Sequence, residues 1–287
     1  MPELPEVEAL RGFLERTSRG KVVAETHLLA FPSLKTFEVP LTALQGLEVT
    51  GVDRRGKFIG LDVDGLWLVF HLARAGWLTW RDEMPASLPR AGRGPVALRL
   101  VFDDGSGFDL TEAGTQKGLA LYVVNHLQDV PGIAGLGPDP LADDFTPQVL
   151  AQVLATAGRS QLKRVLRDQH VLAGIGNAYS DEILHAARMS PFKPANGLDE
   201  AELTQLYEAI RGELTAAVER ASGRAAQELK DTKRAAMRVH GRTGQACPVC
   251  GSTILEVSYA DSSLQYCPGC QTGGKPLADR RLSRLLK

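Results

Sequence analysis

Between residues 6 and 16 the apolar side chains Val7, Leu10, Phe13 and Leu14 recur at helical spacing. Pro5 suits the first turn of such a helix, and Glu6 and Glu8 suit its positive end. From residue 22 to about 124 the texture changes to short apolar runs, and 47–52, 58–63, 67–72, 97–102 and 119–124 read as strands. Asp64-Gly65 and Asp104-Gly105 mark turns, and 85–95 is a loop rich in Pro, Gly and Arg. This half predicts a sandwich or barrel-like β domain. The proline-spaced stretch 136–141 is a connector, after which 147–157, 161–168, 177–187 and 200–221 fit amphipathic helices. Near the end, 254–259 and 264–266 are β-prone arms.

Composition narrows the class. The chain has 287 residues, 44% hydrophobic and 23% charged, enough for two domains and a sizeable core. No run of about 20 apolar residues predicts a membrane span, and no basic-then-apolar leader predicts secretion. The expectation is a cytoplasmic protein. Its net charge of −1 argues against nucleic acid until the distribution is read. Residues 221–287 hold 11 Lys and Arg against 5 Asp and Glu, while the remainder holds 22 against 29. A polyanion meets that local field rather than the average, although a solvated basic tail has the same composition.

Three clusters carry chemistry. All four cysteines fall near the end, as Cys247-x2-Cys250 and Cys267-x2-Cys270. Each pair can chelate a tetrahedral ion through two thiolates across a hairpin, and in a cytosolic chain this favours one structural zinc over disulfides. Four protein ligands leave no open position for catalysis. At the other end the chain reads Met1-Pro2-Glu3-Leu4-Pro5-Glu6. Removal of Met1 leaves a secondary amine at Pro2 with a carboxylate beside it. Such an amine attacks an aldehyde carbon to form an imine, and the acid moves the protons. In the centre, two glycines break an apolar run before Asn177, which reads as the N-cap of a helix carrying Asp181 and Glu182. A Gly-rich turn before a helix also presents N–H groups suited to phosphate.

The opening PELPE, the β-rich half, the stretch from Asp168 through Gly174-Ile175-Gly176-Asn177 to Met189-Ser190-Pro191, and the C-terminal cysteines stand in the order of a known family. The chain resembles the formamidopyrimidine-DNA glycosylase and endonuclease VIII family over nearly its whole length, as a divergent member. The resemblance implies an α+β protein in three parts. These are an N-terminal β-sandwich with an N-terminal helix (1–135), a helical domain with a helix–two-turns–helix motif (136–240) and a zinc-ribbon hairpin (241–287). It implies base-excision repair of damaged double-stranded DNA by a monomeric glycosylase with abasic-site lyase activity. Pro2 would attack C1′ of an extruded nucleotide, Glu3 would assist ring opening, and elimination would cleave the strand. Lys57, in Gly56-Lys57-Phe58, would contact phosphate beside the lesion. His71, Lys163 and Asn177 would bind DNA, and Cys247, Cys250, Cys267 and Cys270 would hold Zn2+. Glu6 would support the acid or cap the helix.

Three places depart from the family pattern. Arg74 stands where the formamidopyrimidine branch has a gap-filling Met, and 112–118 replaces its Arg-Arg-Phe-Gly loop. Arg74, Gln116 or Lys117 would meet the widowed base instead, or lie on the surface without that role. Ser262 stands where the family has a phosphate-gripping Arg, with Lys275, Arg280 or Arg281 as substitutes. The region 222–239, a lesion-reading loop in the family, differs and is shorter around Ala225–Lys230. The expected substrate is therefore a damaged or abasic nucleotide that need not be 8-oxoguanine. Two other classes fit the same residues: a damaged-DNA binding protein that has lost catalysis, and a zinc-ribbon interaction protein without DNA affinity.

Overall fold

The computed structural model describes residues 1–259 and 262–278. It divides into two compact units, one of residues 1–136 with 218–232, the other of 137–217 with 233–287.

The first unit opens with helix α1 (Leu4–Ser18), longer than its apolar pattern by about a turn because Pro5 sits in its first turn, where no intrahelical N–H is needed. Leu4, Val7, Leu10 and Leu14 are buried along one face. Eight strands follow: β1 (Val23–Leu28), β2 (Val49–Arg55), β3 (Phe58–Val63), β4 (Leu66–His71), β5 (Gly76–Arg81), β6 (Val96–Phe102), β7 (Gly107–Glu112) and β8 (Ala120–Val124). They form two antiparallel four-stranded sheets, ordered β1-β6-β7-β5 and β2-β3-β4-β8. Alternate residues such as Ile59, Leu61, Leu68, Phe70, Leu98, Leu100, Phe108 and Leu110 share one core with α1. The expected β-sandwich behind an N-terminal helix is present. On the outer side of β4 and β8, Val69 and Val124 pack with Leu127, Val130 and Ile133 of a short 3-10 turn and helix α2 (Pro131–Ala134). That second cover explains why β4 reads as a continuous apolar run rather than an alternating one.

Strands β1, β5 and β7 were not legible as apolar runs. In β7 the cause is Asp109, which is 3% exposed and faces Arg99 of β6. The guanidinium donates to both carboxylate oxygens, Nε to Oδ1 at 2.8 Å and Nη2 to Oδ2 at 3.0 Å, while Nη1 donates to the Pro85 and Ser87 carbonyls. A charged pair occupies interior positions because both carboxylate oxygens accept from the guanidinium and four of its five N–H groups have acceptors.

The second unit contains α3 (Pro147–Ala157), capped by the Thr146 hydroxyl, α4 (Leu162–Arg167) and α5 (Asn177–Ala186). The long α6 (Glu200–Ala221) follows, and the chain then passes through α7 (Leu229–Ala236). A hairpin of β9 (Leu255–Ser258) and β10 (Ser263–Tyr266) ends in helix α8 (Pro268–Gln271). The ribbon clusters with the helices in this unit, whereas 218–232 joins the first. The reason for the latter is packing: Ala221, Ala226 and Leu229 enter the sandwich core, and Trp77 Nε1 donates to the Ala226 carbonyl at 2.9 Å. The region expected to differ from a lesion-reading loop is thus a docked 3-10 turn and helix, with Lys230 Nζ 4.5 Å from the Trp77 ring centroid. No described helix is long and apolar enough to cross a membrane.

Truncating one member of a buried ion pair strands the other. Asp109→Ala should therefore lower unfolding stability by about 3–5 kcal/mol, measured by chemical denaturation. A loss below about 1 kcal/mol would mean that Arg99 finds water instead.

Candidate functional site

In the first unit the candidate residues converge on the start of α1 and the β2–β3 turn. Pro2 is buried. Glu3 and Glu6 are each 2% exposed, and the Glu3 N–H donates to Glu6 Oε2 at 2.9 Å. Glu6 therefore caps the helix by holding the backbone of the residue that follows Pro2. One turn on, Glu8 accepts from Arg54 Nε at 2.7 Å, and Arg54 Nη1 donates to the Gly56 carbonyl at 3.1 Å. This relay from helix to hairpin sets the two-residue turn Gly56-Lys57, in which Gly56 takes φ +55°, the position a tight hairpin reserves for glycine. Lys57 is 8% exposed, so it is not the solvated strand-entry lysine that its sequence neighbours suggest.

His71 ends β4 opposite Phe58, whose ring lies 4.7 Å from the imidazole. Burial first, and the neighbouring Lys57 ammonium second, push its pKa down to about 4. It is a neutral imidazole at physiological pH, able to donate one hydrogen bond and accept another.

Beside it, Leu72–Gly76 is a tight turn closed by Gly76 N–H to the Leu72 carbonyl at 2.8 Å. Arg74 projects from it, exposed and, among the described residues, without a partner. Ala73 holds φ +51°, the left-handed region that disfavours a side chain. The 112–118 loop folds on itself. The Glu112 carboxylate accepts from Gly118 N at 2.8 Å and Leu119 N at 3.1 Å, and Lys117 donates to the Glu112 carbonyl. Gln116 is exposed. Lys117 is tied to its own loop by one donor, and Arg74, Gln116 and Lys117 are all exposed.

In the second unit two sequence expectations change. Asn177 is the first residue of α5 rather than its N-cap, which is Gly176. Its side chain turns away from its own helix: Nδ2 donates to the Ser263 carbonyl of β10 at 2.8 Å, and Oδ1 is buried with no hydrogen-bond partner among the described residues. Lys163, expected to meet phosphate, is 4% exposed. Its ammonium donates to the Asn177 carbonyl, Ser180 Oγ and Asp181 Oδ1 at 2.7, 2.7 and 2.6 Å. With three N–H groups and three internal acceptors, Lys163 braces the motif and has no donor left for phosphate. Asp181 also meets His240 Nδ1 at 2.7 Å, and Glu182 gathers the backbone N–H groups of Arg238, Val239 and His240 at 2.8–2.9 Å.

The cysteines come together. Sγ–Sγ distances are 3.9 Å for Cys247–Cys270 and 3.3 Å for Cys250–Cys267. Four thiolates on a tetrahedral zinc lie about 3.8 Å apart, and these two pairs straddle that spacing, while the four-donor group whose atoms all lie within 4.8 Å of one another is His185 with Cys247, Cys267 and Cys270. A Cβ on Gly269 would fall 2.4 Å from Ser252 Oγ and 3.0 Å from Cys250 Sγ, so any side chain there would force Ser252 to shift and crowd the Cys250 thiol. The sequence reading missed His185, whose ring nitrogen lies within 4.8 Å of the Cys247, Cys267 and Cys270 sulfurs. Its only trace in sequence is a histidine on the apolar face of a helix. Ser262 lies in the ribbon, and Lys275 is exposed near its end. Arg280 and Arg281 fall outside the described residues.

Two measurements follow. In an imidazole NMR titration His71 should show a pKa near 4, moving up in Lys57→Met but staying below 6.5, because burial is the larger cause. Its folded pKa is depressed, so the stability linked to it is complete above about pH 6.5 and is lost as pH falls toward 4. A His71 that titrates near 6.5 would contradict the burial. Ala73→Gly should raise stability by roughly 0.5–1 kcal/mol, the left-handed strain relieved less the added freedom of the unfolded chain. Unchanged or lower stability would place the strain elsewhere.

Known proteins share this architecture. Residues 1–115 match the model of the formamidopyrimidine-DNA glycosylase N-terminal domain, and residues 136–228 match that of the formamidopyrimidine-DNA glycosylase H2TH domain. A formamidopyrimidine-DNA glycosylase of Symbiobacterium thermophilum is 36% identical, covering 98% of this chain and 93% of its own. An uncharacterized formamidopyrimidine-DNA glycosylase-like protein of Mycobacterium tuberculosis is 57% identical over 157 residues, 55% of this chain and 98% of that one. The structure of the Lactococcus lactis Fpg in complex with DNA containing an abasic site aligns with TM-score 0.82 at 27% identity, over 94% of this chain and 99% of that one. The helix-led sandwich, the motif helices and the cysteine cluster stand in one chain with matches to both domain models, and the chain belongs to the formamidopyrimidine-DNA glycosylase family.

Proposed function

We propose that this chain is a base-excision-repair DNA glycosylase with abasic-site lyase activity, acting on damaged double-stranded DNA as a monomer in the cytoplasm. The observation that carries the reading is the buried start of α1. There Pro2 and Glu3 are adjacent, and the Glu3 backbone is held by Glu6, in the unit that also contains Lys57 and the neutral His71. The Lactococcus lactis relative, bound to DNA containing an abasic site, supports the substrate class.

A base inside a duplex is out of reach, so the nucleotide must be extruded. With Met1 removed, the Pro2 amine attacks C1′. Glu3 supplies the proton that opens the sugar ring, and the damaged base leaves. The resulting imine acidifies the adjacent C2′–H, and loss of that proton expels the 3′ phosphate. Lys57 and Asn177 hold backbone phosphates, which position the strand without reading sequence. His71, uncharged, adds a directional hydrogen bond rather than a charge. Cys247, Cys250, Cys267 and Cys270 hold one structural Zn2+, which folds a hairpin too small to bury a core of its own. Arg74 and the self-bonded 112–118 loop supply no apolar wedge, which favours an abasic or otherwise damaged nucleotide over 8-oxoguanine.

The test is borohydride trapping on a panel of damaged and abasic duplexes, with mass spectrometry of the N-terminus. A covalent adduct on Pro2 is expected, and Pro2→Gly or Glu3→Gln should lose strand incision by at least 100-fold, on the scale of about 10^2–10^4 for a positioned acid or base. Incision equal to the parent in either variant would reject the mechanism. Tight damage-dependent binding with no adduct and intact Met1 would instead support the non-catalytic binding protein. Weak binding insensitive to salt would leave only a ribbon interaction module.

A further inference from the structure

Helix α5 carries, near its C-terminal end, a histidine that the proposed chemistry does not use. His185 is 2% exposed, and its Nε2 lies 3.3 Å from Cys247 Sγ. Its Nδ1 is buried with no partner among the described residues. A proton on Nδ1 would be a stranded donor in the interior, so the ring proton belongs on Nε2, directed at the sulfur.

The sulfurs need such donors. A divalent ion with four thiolates carries a formal charge of −2, which must be offset where the sulfurs are out of water. Cys247 and Cys267 are the most buried of the four, at 2% and 0% exposed, and Cys250 is exposed. Cys267 Sγ receives the Cys270 backbone N–H at 3.5 Å. For Cys247 the corresponding donor is the His185 ring.

The same helix is tied to the ribbon at its other end through Asn177 Nδ2 and the Ser263 carbonyl at 2.8 Å. Just past its C-terminus, Gln271 of α8 donates to the Met189 carbonyl at 2.9 Å. Metal and helix are therefore joined through a side chain, and Asn177 sits on the joined element.

We propose that His185 is a positioning residue of the metal centre: its Nε2–H donates to the metal-bound Cys247 thiolate and couples metal retention to the placement of the helix that begins at Asn177. The inference rests on the reading of the four cysteines as a zinc site. Donation withdraws electron density from the sulfur, so it protects the thiolate against protonation and loss of the metal.

The experiment uses full-length protein loaded with Zn2+, and separately with Co2+, comparing the parent with His185→Phe and His185→Gln. The parent should bind one ion with a four-thiolate cobalt spectrum. His185→Phe should lose zinc to a chelator with an affinity about 10-fold weaker or more, and its thiolate-to-cobalt band should move to lower energy. His185→Gln, which keeps an N–H donor, should restore both. Equal affinity and an identical band in His185→Phe would overturn the proposal. So would a three-thiolate parent spectrum, which would make His185 a ligand. If His185→Phe does not fold, the ring tautomer of the zinc-loaded parent decides by 15N NMR. A proton on Nε2 supports the proposal and one on Nδ1 overturns it. A parent that binds neither ion would reject the zinc site itself, whereas metal held equally well without the histidine rejects only its role.

Discussion

An ionised carboxylate taken out of water is costly unless its lone pairs are met, and this chain buries several. Glu6, Asp109, Glu112, Asp181 and Glu182 are each less than 5% exposed. Each accepts from a backbone N–H or a cation, and each thereby fixes a segment that could not hold itself. Glu6 fixes the residue after Pro2. Glu112 closes the loop back to Leu119, and Asp109, through Arg99, holds the carbonyls of the 85–87 stretch. Asp181 and Glu182 gather Lys163 and the N–H groups of 238–240, where the chain enters the ribbon. Irregular backbone is placed by satisfied acids, and the apolar cores supply the rigid frame to which those acids are anchored.

The same rule reassigns residues. A lysine in a DNA-binding family invites a phosphate, but Lys163 is already neutralised by Asp181 and its neighbours. Lys57 is also withdrawn from solvent, yet it lies in the turn set by the Glu8–Arg54–Gly56 relay, and its charge beside His71 adds to the larger effect of burial in holding that imidazole neutral. One buried lysine serves as a brace and the other shapes the electrostatics of a candidate site.

In the Leu72–Gly76 turn and the neighbouring loop, the backbone and the side chains answer to different constraints. The turn holds a left-handed residue although alanine occupies it, at some cost in strain. Its outward side chain, Arg74, is an exposed cation. The neighbouring loop satisfies its own polar groups rather than presenting an apolar wedge.

The linear sequence determined the elements whose signals are local. Helices 147–157 and 200–221, the two CxxC pairs with glycines at the knuckles, and the short apolar runs of β3, β6 and β8 depend on residue order along one stretch of chain. The family resemblance extended that reading to the order of the parts. Tertiary structure decided what depends on distant partners. β7 hides a strand behind Asp109, because the charge is tolerable only opposite Arg99. Ala226 and Leu229 return to the sandwich, where they are buried in its apolar core. Asn177 turns toward Ser263 and His185 toward Cys247. Periodicity can report that a side chain faces inward; only the fold brings up the group that makes a buried polar atom affordable there.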